Sequence, residues 1–116
     1  MTVAEALEAK RERILERMFE HRNRELATTE ADQRQFFLGY FNLVVAAAGG
    51  NDAVRDEYLH AVVPGIKSAG MSLATVMDGM VRVAMVLVAE TEPEHHDWII
   101  GFNADYTYRL SELWDA

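Results

Sequence analysis

The sequence predicts an all-α bundle of about five helices packed around one apolar helix near residues 72–90. Three observations carry this. Apolar residues recur at three- and four-residue spacing along nearly the whole chain, and strict apolar–polar alternation occurs nowhere. Helix-starting and helix-stopping residues punctuate the chain at short intervals: Thr29, the pair Gly49 and Gly50, Gly70, Ser72 and Thr91. One stretch, Met71 to Ala89, is apolar almost all round, the pattern of a helix covered on every side.

The first helix is expected from Val3 to Leu26. At 100° per residue Leu7, Ile14, Leu15, Met18, Phe19 and Leu26 share one broad face. Arg11 and Arg22 fall inside that face. Their aliphatic stems can pack while the heads reach water, or they can meet an anion or a partner's carboxylate. The second helix opens at Thr29, with Asp32 in place of the usual Glu of a capping box. Phe37, Tyr40, Phe41, Val44 and Ala48 form its centre, and Gly49 and Gly50 stop it.

Asn51 is the expected cap of the third helix. Pro64 removes a backbone donor and collides with the preceding turn, so two pieces are expected, about 51–62 and 64–69. Ser72 caps the fourth helix, in which Asp78 and Arg82 stand i, i+4 and can pair. Thr91 and Glu94 make a capping box for the fifth, with Pro93 tolerated in its first turn. Trp98, Ile99, Phe102, Tyr106, Leu110 and Leu113 then repeat at helical spacing. Connections of a few residues make successive helices antiparallel neighbours.

Composition sets the class. A chain of 116 residues is one domain, 1–116, by the common domain size. It has no cysteine, which removes disulfides, thiolate metal sites and a cysteine nucleophile. The formal charge is −8, which argues against a nucleic-acid backbone as partner. Residues 1–25 hold six acids and six bases, so the remainder carries the whole excess. The N-terminus lacks the apolar core of a secretory signal, and Asp78 and Arg82 argue against a membrane span, so a cytoplasmic protein is expected.

Catalytic constellations are sparse. No nucleophile elbow, P-loop or dinucleotide fingerprint is present, and no enzyme activity is expected. Glu57 with His60, and Glu92 with His95, form two E-x-x-H pairs of the kind used in di-iron bundles. On the helical wheel, however, His60 points about 160° from the apolar face of its helix. His95 falls among Trp98, Phe102 and Leu113. It can serve as a pH sensor or ligand-binding group, with His60 and Tyr40 as the further candidates, or be satisfied by a backbone carbonyl. His96 is expected in solvent, and His21 at the edge of the first helix's stripe. Methionines concentrated on the fourth helix, with Phe37, Tyr40 and Trp98 as neighbours, can shape a small apolar pocket. A homodimer is expected through the first and last helices, with Phe19, Arg22, Tyr108 and Trp114 at the seam.

The segment DEYLHAVVPGIKSAGMSLATVMDGMVRVAMVLVAE pairs a short helix ending in A-G with an M-S-L-x-x-V start and a long apolar helix carrying one Arg. It resembles the N-terminal sensor domain of RsbR-type stressosome proteins, a non-haem relative of the globins. The resemblance implies a globin-like fold, a homodimer, and a signal passed to a STAS domain, which this sequence does not contain. A haem globin would place its proximal histidine on the short helix before residue 72. No histidine stands between Val62 and Ala69, so no cofactor is expected; a haem- or small-ligand-binding sensor is the alternative, and a di-iron enzyme the third.

Overall fold

The computed structural model describes residues 1–26 and 28–115. Among them are six α-helices, one 3₁₀ turn and no strand. They are α1 (Val3–Ala9), α2 (Arg11–Glu20), α3 (Glu30–Ala48), α4 (Val54–Ser68), α5 (Leu73–Ala89), the turn Pro93–His95, and α6 (His96–Trp114). The short axis is 18 Å, room for about two helix diameters of 10 Å.

The first expected helix is two helices. Lys10 leaves helical geometry at φ −121°, ψ 23°, and α2 already ends at Glu20. The bend lets Leu7 of α1 and Ile14 of α2 both reach full burial against α3. It also sends Lys10 Nζ to the carbonyl of Glu90, 3.0 Å away at the end of α5.

Cap chemistry explains several boundaries. Thr29 Oγ1 accepts the Asp32 N–H at 3.1 Å, and Ser72 Oγ accepts the Thr75 N–H at 3.2 Å. Gly50 and Gly70 stop α3 and α4 at φ 103° and 80°, conformations that cost other residues dearly. Two expected caps fail. Ala53, not Asn51, occupies the N-cap of α4. Thr91 gives its hydroxyl to the Leu87 carbonyl at 2.7 Å and makes no cap bond; Glu92 is the N-cap of the 3₁₀ turn, and α6 is entered through that turn.

Pro64 does not break α4. The helix runs through it, and Leu59, Val63 and Ile66 pack on the core on both sides. The apolar helix near 72–90 is not central either. Val76, Met80, Val83, Val86 and Leu87 of α5 are buried, but Val81 and Met85 stand in solvent. The deepest helix is α3, which packs on α1, α2 and α4 and buries Phe37, Tyr40, Phe41, Leu43 and Val44.

Candidate functional site

The N-terminal half of α3, the C-terminal half of α4, the start of α5 and the turn after α2 line an open-sided cavity of about 710 Å³. Its size is that of a small-ligand pocket. Met18, Phe36, Phe37, Val62, Ile66 and Val76 give it an apolar body. Three facing helices supply Gly39, Gly65 and Gly79, and the missing side chains are the space itself. A Cβ on Gly65 or Gly79 would meet nothing within 4 Å. Gly39 differs: a Cβ there would stand 2.9 Å from the Tyr58 hydroxyl, so glycine lets α4 lay Tyr58 against α3. Burial pushes the Tyr58 pKa up, which keeps its hydroxyl protonated.

Polar groups gather at the rim. Arg22 donates from Nη1 to the Phe19 carbonyl at 2.8 Å, and its guanidinium lies 3.8 Å over the Phe19 ring. Arg82 donates from Nε to Asp78 at 2.7 Å and from Nη1 to the His21 carbonyl at 3.3 Å, tying α5 to the turn after α2. Gln33 is buried in the wall. Its Nε2 donates to Thr28 Oγ1 at 3.0 Å, and its Oε1 is buried with no partner among the described residues.

The residues singled out from sequence fall in different places. Tyr40 is fully buried away from this cavity, where its hydroxyl accepts the Asn103 Nδ2 donor at 3.0 Å. Asn103 Nδ2 also donates to the Met80 carbonyl at 3.2 Å, so one amide joins α3, α5 and α6. Nothing in the local pattern marks Asn103, since it sits within an apolar stripe. Trp98 stacks on Phe102 at 5.3 Å beside a separate open hollow with Asp52, Asp97 and Asp105. The methionines lining the large cavity are Met18 and Met71 rather than Met77, Met80 or Met85.

His95 is buried, with Nε2 3.5 Å from the Glu94 carboxylate. His96 is half-buried and meets the Thr91 carbonyl at 3.0 Å, not open solvent. His60 is exposed and lies outside the cavity wall, where α4 contributes Ala61, Val62, Gly65 and Ile66. That wall offers haem iron no axial imidazole from α4. His21 lies at the rim. No group of three His, Asp or Glu side chains that could hold a metal forms among the described residues, so the two E-x-x-H pairs do not converge.

Two expected seam residues are turned inward. Phe19 is 7% exposed, and the Arg22 side chain 13%. Both are spent on contacts inside the chain, with Arg34 covering the other approach to Phe19 at 3.6 Å. Arg11 likewise pairs with Glu8 and Asn42 and lies 4.8 Å over Phe41. Trp114 is half-buried, and its carbonyl accepts Lys67 Nζ at 2.6 Å. Tyr108 alone of the four is open, at 69%. The bond from Asn103 to Met80 sets the register of α5 against α6. Val81 and Met85 of α5 and Ile100 and Tyr108 of α6 are the large apolar side chains that these two helices leave exposed.

No known protein family, curated protein or solved structure matches this chain. No described helix is long and apolar enough to cross a membrane.

Proposed function

We propose that this chain is a non-catalytic, globin-like sensory domain that holds a small apolar molecule in the cavity between α2, α3, α4 and α5. It pairs with a second copy and relays occupancy to a STAS-type or other signalling partner. The cavity is the observation that carries this reading: an open-sided, mostly apolar pocket of about 710 Å³ has the size of a small-molecule site. The stretch resembling RsbR-type sensor domains supports it, because it supplies the two walls α4 and α5. The exposed apolar residues of α5 and α6, Met85 and Tyr108 among them, are the surface we assign to the second copy in place of Phe19 and Arg22. Aromatic and apolar groups of this kind populate interface cores.

The test is a neutral fluorescent probe, N-phenyl-1-naphthylamine, titrated into purified protein. Binding is expected in the unaltered protein and absent in Gly65→Trp, which fills the cavity, provided its circular dichroism is unchanged. Equal probe binding by both proteins refutes the cavity as the site. Light scattering is expected to give twice the 13.1 kDa chain mass, and Tyr108→Glu with Met85→Glu to halve it. A monomer at tens of micromolar removes the pairing from the proposal.

A further inference from the structure

Given that reading of the cavity, its polar groups define what its occupant must carry. We infer that the occupant is uncharged, mostly apolar, and bears a hydroxyl group that bonds the Gln33 amide.

Charge at the rim excludes the obvious alternative, a carboxylate. Arg82 is matched by Asp78 at 2.7 Å, and Arg22 stands 3.7 Å from Glu30 while its Nη1 serves the Phe19 carbonyl. Asp32 adds a further negative charge to the wall. Each cation already has its counter-charge, and an incoming anion would meet a surplus carboxylate. An ionised carboxylate also lacks a proton to donate.

The amide of Gln33 asks for a neutral group. Half of it is bound to Thr28, and Oε1 of this cavity-lining residue is buried without a partner among the described residues. A buried polar atom in this state is rare and calls for an explanation. A hydroxyl both donates and accepts, so it satisfies the free half of the amide whichever way the amide is turned. Between Gln33 and Gly39 along α3, over roughly 9 Å at 1.5 Å per residue, the wall presents Phe36 and Phe37, with Gln35 the one polar residue among them. The Tyr58 hydroxyl, against Gly39, ends that stretch. An aliphatic alcohol of medium length matches this sequence of a polar contact followed by an apolar body.

The experiment displaces N-phenyl-1-naphthylamine with 1-octanol, its isomer 1-methoxyheptane, or octanoate. The alcohol and the ether differ in the donor, and octanoate supplies the charge. Octanol is expected to displace the probe at roughly tenfold lower concentration than the other two, the worth of one good hydrogen bond. Gln33→Leu is expected to erase that preference while probe binding persists. If that variant does not fold, the three ligands on the unaltered protein still decide. Equal potency of alcohol and ether overturns the hydroxyl while leaving the cavity as a binding site. Strongest displacement by octanoate overturns it in favour of an anion at Arg22. Failure of the probe itself to bind overturns this inference together with the reading of the cavity.

Discussion

Replacing Glu90 by Gln isolates one electrostatic joint of the fold. Glu90 ends α5 with a buried side chain. Its carboxylate accepts from Arg13 Nε at 2.7 Å and lies 3.6 Å from Arg17, while its carbonyl takes Lys10 Nζ at 3.0 Å. Three cations, Lys10 at the bend and Arg13 and Arg17 of α2, thus hold one residue over 70 positions away. A hydrogen bond to a charged group is worth about 1.5–3 kcal/mol. Arg13 and Arg17 are 64% and 41% exposed, so solvent screens them and about 1–2 kcal/mol is expected. For a domain of this size that is roughly 4–8 °C in Tm.

The pH dependence supplies the sharper check. The hydrogen bond from Arg13, with the nearby positive charges, holds the Glu90 carboxyl below its ordinary value, although burial opposes this. A lowered folded-state pKa gives stability that is full above the unfolded pKa of about 4.3 and is lost as pH falls through the folded value. The stability gap between the parent and Glu90→Gln, measured by urea unfolding, should be constant from pH 8 to 6 and close below pH 4. A gap that persists unchanged at pH 2.5, or no gap at pH 7, would refute the electrostatic account. Arg13→Met should lose most of its own effect in the Glu90→Gln background.

Val83→Glu should cost at least about 4 kcal/mol, since Val83 is fully buried and the new carboxylate has no counter-ion there; an unchanged melting temperature would mean that this face of α5 is not packed as described. Asn103→Leu should cost about 2–3 kcal/mol by orphaning the Tyr40 hydroxyl, and adding Tyr40→Phe should recover part of it; additive losses would argue that the bond is not made. Gly101→Ala, in an open stretch of α6, should raise stability by about 0.5–1 kcal/mol in thermal melts. Gly39→Ala should lower stability, and Tyr58→Phe should relieve the clash; a gain at Gly39 would show that Tyr58 does not lie there.

What could be read from the sequence was local. Ser72, Thr29 and the Asp78–Arg82 pair behave as expected because cap and i, i+4 chemistry involve only a few consecutive residues. The misplacements are tertiary. Lys10 breaks the first helix while its amine reaches a carbonyl 80 residues away, which no local pattern announces. Pro64 weakens a helix, yet the packing of Val63 and Ile66 on either side outweighs one lost hydrogen bond. The stripe on α2 was legible, but a stripe does not say whether it meets its own chain or another. The cavity left one signal, small residues at helical spacing on separate helices: Gly39 on α3, Ala61 and Gly65 on α4, Gly79 on α5. Without knowing which helices face each other, that signal has no meaning.

The cavity's wall on α4 is its least anchored. Over fifteen residues α4 buries only Leu59 and Val63, and beyond them Pro64 is exposed and Gly65 lies on the cavity's open side. Few buried contacts mean a low free energy for local opening, so the amides of α4 should exchange with solvent well before those of α3. An occupant pressed against Val62 and Ile66 would slow that exchange without moving any helix. The stiffening would extend along α4 to Lys67, whose amine is bonded to the carbonyl of Trp114 at the end of α6. Occupancy would thus be transmitted as a loss of fluctuation: the last turn of α6 would be quiet when the cavity is full and restless when it is empty.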